Sequence, residues 1–125
     1  MSSTAVVLVA HGSRLPAAAD AHRSVCTALQ ARVGDDVVVS AAYLEITDPD
    51  IPAAIDAAVA GGADRVLVLP YFLHPGNHTR RDIPAAVEAA RRRNPGATID
   101  LADFFGADPA LVSALAAQVG ELVEP

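Results

Sequence analysis

Short apolar runs and stretches of helical period alternate along this chain. Ala5-Val-Val-Leu-Val-Ala10 is continuous, rich in β-branched residues and ended by Gly12, the pattern of a strand buried on both faces. Val37–Leu44, Arg65–Tyr71 and a weaker run, Ala97–Ala102, read as further strands. Between the first two, Pro16–Arg32 carries Ala18, Val25, Cys26 and Leu29 at helical spacing and stops before Gly34. A second helix opens at Asp48-Pro-Asp-Ile-Pro52, keeps Ile51, Ile55 and Val59 on one face, and ends at Gly61-Gly62. After a polar loop from His74 to Arg81, a third is expected from Asp82 to Arg93, closed by Asn94-Pro-Gly96. Asp108-Pro109 starts a last helix with Leu111, Val112, Leu115, Val119 and Leu122 in register. Strands alternating with helices of this length need right-handed crossovers. The expected fold is therefore α/β, a four-stranded parallel sheet with helices on both faces (βαβαβαβα), in one domain over residues 1–125.

A short internal echo sets Asp50-Ile-Pro-Ala-Ala-Ile-Asp-Ala-Ala58 against Asp82-Ile-Pro-Ala-Ala-Val-Glu-Ala-Ala90. Asp as N-cap, Pro in the first turn and Ala inside are good helix chemistry, and no duplicated domain need be invoked. The echo does predict that Glu45 and His78 each stand a few residues before an equivalent helix start, on loops at the same side of the sheet.

In an open parallel sheet the strand-to-helix loops emerge at the carboxyl edge, where ligands bind at the point of strand-order reversal. Metal-competent side chains fall on that edge: His11 after the first strand, Glu45 at the end of the second, and His74 or His78 after the third. Two imidazoles and a carboxylate suit a divalent first-row metal and leave coordination positions open. Of the two later histidines, His78 follows Gly76-Asn77, where the backbone turns freely, and is favoured over His74, which is held between Leu73 and Pro75. His22, on the edge of an apolar helical stripe, reads as a packing or surface residue, and Cys26 as a small buried hydrophobe. Arg91-Arg-Arg93 at a helix C-terminus complements the helix dipole without any ligand.

Composition narrows the chemistry. The chain has 125 residues, a net charge of -6, 4% aromatic residues and no Trp, so it lacks the basic field and stacking platforms of a nucleic-acid binder. All nine basic residues are Arg, which excludes Schiff-base lysine chemistry and a P-loop lysine. A single cysteine forms no internal disulfide and no structural zinc site. The first apolar run is too short to span a bilayer and lacks a basic flank, so a cytoplasmic protein without membrane attachment is expected.

Three segments then resemble one family: Ala10-His-Gly-Ser-Arg14, Glu45 before Pro49-Asp-Ile51, and Pro70-Tyr-Phe-Leu-His-Pro-Gly-Asn-His-Thr-Arg-Arg-Asp-Ile-Pro84. With Gly106-Ala-Asp-Pro-Ala-Leu111 before the last helix, they are similar to the small, single-domain sirohydrochlorin chelatases. That resemblance implies a class II chelatase, an ATP-independent lyase inserting Co2+, or in relatives Fe2+ or Ni2+, into a modified tetrapyrrole on the cobalamin or siroheme route. It implies His11 and His78 as catalytic residues and metal ligands, with Glu45 helping to hold the metal; His74 lies outside the shared motif. No prosthetic group is expected, the metal being a substrate. Larger class II chelatases enclose the macrocycle between two lobes, so a homodimer is expected with the cleft at or near its interface.

The residues agree with that chemistry. Metal insertion needs a site that binds the aquo ion, takes up pyrrole N–H protons and then releases the metal, which a closed four-ligand cage would not do. Neutral imidazoles can ligate metal or accept a proton. The substrate's carboxylates call for local positive charge in an acidic protein, which Arg14, Arg80 and Arg81 can supply, with Ser13 beside them as a further substrate contact. No Walker motif is present. Two other classes use the same residues: a noncatalytic metal-delivery module, and a phosphoryl-transfer enzyme with a histidine nucleophile. The second would want an arginine directly before His11, where Ala10 stands.

Overall fold

The computed structural model describes residues 3–123, with His78 described by its backbone alone. Strands β1 (Thr4–Ala10), β2 (Val37–Tyr43), β3 (Arg65–Pro70) and β4 (Thr98–Leu101) form one sheet in the order β2-β1-β3-β4. All the pairings are parallel, with Ala10 opposite Tyr43 and Val9 opposite Pro70. Helices α1 (Pro16–Val33), α2 (Ile51–Ala60), α3 (Asn77–Arg93) and α4 (Ala110–Val123) follow the strands in turn, and a 3-10 turn, Phe105–Ala107, precedes α4. The chain steps from β1 outward to β2 and then back past β1 to β3. Strand order thus reverses at β1, and the crevice expected of such a reversal opens between the loops after β1 and β3.

Period-2 alternation within the strands decides which side chains make the core. Val7 and Val9 of β1 and Val66 and Val68 of β3 face Ile51 and Ile55 of α2 and Ile83 and Val87 of α3. Val7, Val9, Ile55, Val66 and Val68 have no exposed surface. On the opposite face α1 packs through Ala19, His22 and Cys26, the buried residues of that helix. His22 is fully inside the protein rather than at its surface: Nε2–H donates to the Leu8 carbonyl at 2.9 Å, and its ring lies between Tyr43 and Tyr71, with centroids at 5.3 and 6.1 Å. Cys26 is the buried hydrophobe expected of it, and burial pushes its thiol pKa up. Farther along this face Leu67 and Leu69 of β3 stay half-exposed although their neighbours Val66 and Val68 are sealed.

Two expectations are corrected. The loop from His74 to Arg81 is shorter than expected, because α3 begins at Asn77 and not at Asp82. Thr79 fixes this start: its Oγ1 accepts from the Gly76 N–H at 2.7 Å and donates to the Gly76 carbonyl at 2.8 Å. Pro84 therefore lies inside the helix and not in its first turn, where it cannot donate to the Arg80 carbonyl. The echo consequently fails as a structural equivalence. Asp50 is a true N-cap, accepting from Ala53 N–H at 2.9 Å, whereas Asp82 sits within α3, and His78 is a helical residue of its first turn. The other departure is α4, which has the predicted apolar register but no buried residue.

Ile55→Ala should destabilise the fold by about 2–5 kcal/mol and Ile55→Val by about 0.5–1.5 kcal/mol, measured by urea denaturation.

Candidate functional site

The β1–β2 ladder does not stop with the strands. Beyond the Ala10–Tyr43 register, Leu44 N–H donates to the Ala10 carbonyl at 2.9 Å and Glu45 N–H to the His11 carbonyl at 3.1 Å. This continuation carries the two loops side by side past the carboxyl edge. At Gly12 the backbones meet: φ is +102°, and a Cβ there would stand 1.8 Å from the Glu45 carbonyl oxygen. Only glycine allows both the conformation and the approach.

Glu45 is turned back by the residue after it. Thr47 N–H donates to the Glu45 carbonyl at 2.8 Å, closing a three-residue γ-turn around Ile46 with φ of +73°. A β-branched residue in that region is strained. Thr47 also locks the turn to the neighbouring loop: its hydroxyl accepts from Ser13 N–H at 3.2 Å and donates to the Ser13 carbonyl at 3.1 Å. Tyr43 N–H closes the far end of the loop on the Pro49 carbonyl at 2.9 Å.

The result is a pair: His11 Nε2 lies 3.1 Å from Glu45 Oε1, both side chains more than half exposed at the open edge. The third loop joins from the other side. Tyr71 N–H bonds to the Val9 carbonyl at 2.8 Å, and the Phe72 ring meets the His11 ring edge-on at 6.4 Å. His11 is thus set between a carboxylate from the β2 loop and an aromatic wall from the β3 loop. An imidazole nitrogen and a carboxylate oxygen this close can share a proton or converge on one cation.

Of the remaining predicted residues, His78 contributes its backbone to the first turn of α3 at the same edge, and its side chain lies outside the described part of the structure. His74 is exposed in the preceding loop. Among the described residues no group of three or more His, Cys, Asp or Glu side chains could hold a metal ion, so His74 does not complete the His11–Glu45 pair. Ser13 is half-buried, its Oγ accepting from Leu15 N–H at 3.0 Å. Arg14, Arg80 and Arg81 are exposed, and Arg80 lines a hollow of about 230 Å³ with Phe72, Thr79 and Phe104. Sequence reasoning missed Ile46, Thr47 and Phe72. For Thr47 there was no signal, since its partner Ser13 is 34 positions away.

Gly12→Ala should force the two loops apart, lowering stability by more than about 1 kcal/mol in urea denaturation.

The CbiX family model matches residues 5–122. The chain is 45% identical over 80 residues to a sirohydrochlorin cobaltochelatase of Methanococcus maripaludis, covering 64% of this chain and 55% of that protein. Its fold is similar to a protein of Marinobacter aquaeolei VT8 with a provisional CbiX, cobalamin-biosynthesis assignment, with a TM-score of 0.80, 28% identity, and coverage of 96% of this chain and 97% of that one. It is also similar to the cobalt complex of the sirohydrochlorin chelatase SirB of Bacillus subtilis subspecies spizizenii, with a TM-score of 0.83, 28% identity, and coverage of 95% of this chain but 50% of that one. The chain spans about half the length of the curated relatives that it matches. A match running from β1 into the last helix, over the loops that bring His11 to Glu45, places this chain in the CbiX family.

Proposed function

We propose that this chain inserts a divalent first-row metal ion, Co2+ in the first place, into sirohydrochlorin or a related modified tetrapyrrole, without a nucleotide. The observation that carries the reading is the His11–Glu45 pair, 3.1 Å apart on the open edge of a CbiX-family fold. Fe2+ and Ni2+ accept the same donors and are the other candidate metal substrates. His78, in the first turn of α3, is assigned the second imidazole. One imidazole with Glu45 receives the aquo ion, and the two histidines take up the pyrrole protons as the metal passes to the macrocycle. An exposed, incomplete ligand set favours this, because the ion must leave again. The delivery-module alternative is not favoured by relatives named as chelatases.

The surroundings suit a flat, polyanionic macrocycle. Leu15, Ile46, Tyr71 and Leu73 are large apolar residues exposed around the three loops, a surface on which an apolar ring face can lie. Ser13, Arg14, Arg80 and Arg81 are assigned to the peripheral carboxylates, giving local positive charge to a protein of net charge -6. One domain of this size offers one wall of a cleft. A homodimer supplies the second, a reading supported by the SirB chain, of which this chain covers half. The product feeds cobalamin or siroheme formation, and the single, free and buried Cys26 suits the reducing cytoplasm.

Tetrapyrrole absorbance followed after adding Co2+ to protein and sirohydrochlorin tests the reading. His11→Ala should lower the catalysed rate by about 100-fold or more, and Glu45→Gln by about 10-fold or more. A native rate equal to the uncatalysed background with Co2+, Fe2+ and Ni2+ alike would overturn it.

A further inference from the structure

Among the described residues Ile46, at φ +73°, is the one residue other than glycine with a left-handed backbone. The other three such positions are Gly12, Gly34 and Gly62. A side chain branched at Cβ is the least suited to that region, because its two γ substituents crowd the neighbouring peptide groups. The conformation is imposed from both flanks. Glu45 N–H is tied to the His11 carbonyl at 3.1 Å, while Thr47 is tied to the Glu45 carbonyl through its N–H at 2.8 Å and to Ser13 through its hydroxyl. Glycine would keep the same hydrogen bonds without the crowding.

Packing within the chain does not offset that strain. The Ile46 side chain is 61% exposed, and it belongs neither to the buried core nor to the half-buried residues packed against it. A strained backbone and an apolar side chain left in water are separate costs at one residue, and both fall beside Glu45. Other exposed apolar residues stand at the same edge. Leu15, at the end of the loop after β1, is 63% exposed, and Leu73, in the loop after β3, is 60% exposed, with Tyr71 just before it. Each of the three loops around the His11–Glu45 pair thus presents a large apolar residue outward, and in the loop after β2 that residue is Ile46. Ile46 follows Glu45 directly, so a body resting on its side chain is held next to the pair.

We propose that Ile46 is a contact for one face of the tetrapyrrole, held against its backbone preference so that the macrocycle comes to rest beside Glu45 and His11. This deepens the chelatase reading and rests on it. An apolar ring face needs an apolar support. The sequence neighbours of Ile46 cannot give one, because the Glu45 carboxylate is engaged with His11 and the Thr47 hydroxyl with Ser13. Ile46 leaves water only once the macrocycle has arrived, which places its gain in substrate binding and not in folding.

Binding of metal-free sirohydrochlorin, followed by its visible absorbance, tests the contact without requiring metal insertion. Ile46→Ala and Ile46→Gly should each weaken binding by about 10-fold or more. Ile46→Leu, which keeps an apolar side chain without the β-branch, should stay within about twofold of native affinity. In turnover with Co2+ the loss should appear mainly in KM. Ile46→Gly should also leave the midpoint of urea denaturation unchanged or raised, whereas truncating a residue packed in the fold would lower it. Native affinity in Ile46→Ala and Ile46→Gly overturns the proposal. A lowered midpoint in Ile46→Gly, or a lowered solution mass by light scattering, also overturns it, since Ile46 would then be a packing residue or a contact between copies. A native protein that binds the macrocycle through Ile46 yet inserts no metal refutes the chelatase reading and leaves the contact standing. Variants that bind and insert as the native protein does refute the contact and leave the chelatase reading standing.

Discussion

The close approach of two backbones at Gly12 governs the chemistry of this protein. Parallel strands end at a common edge, and their loops normally diverge into separate crossovers. Here the ladder runs on through Leu44 and Glu45, and the absent side chain at Gly12 lets the loops remain in contact. The Thr47–Ser13 bonds and the γ-turn at Ile46 follow from that contact and aim Glu45 at His11. Strain at Ile46 is retained because hydrogen bonds on both sides over-determine the turn.

The same edge collects the other properties that the proposed insertion of a metal into a tetrapyrrole would require. Strand-order reversal at β1 leaves a crevice between the β1 and β3 loops, and Phe72 from the latter supports the His11 ring. A sealed core on the α2–α3 face gives those loops a rigid base, while the opposite face is finished only on the β2 side. The site and the bare groove share Tyr71: its ring stacks on His22 and meets Phe105 at the start of the connector. The His11–Glu45 edge and the bare groove are therefore contiguous.

Much of this was legible in the sequence, for physical reasons. Buried parallel strands need unbroken apolar runs, so β1 to β4 could be read to within a residue or two, and the placement of His11 and Glu45 at strand ends followed from the topology. The start of α3 was misread because Asp82-Ile-Pro84 is a good helix opening; the actual start depends on the Thr79–Gly76 hydrogen bonds, which need the folded loop. Thr47 was invisible because its role exists only when two loops distant in sequence are brought together. The register of α4 was readable, but its lack of cover was not: periodicity says which face is apolar and not what lies against it.

His11 and His78 are proposed to place imidazoles on one metal ion with Glu45. X-ray absorption at the cobalt edge of the Co2+-loaded protein counts imidazole ligands directly. Two are expected in the native protein and one after either His11→Ala or His78→Ala; an imidazole count that neither substitution changes would contradict this ligand set.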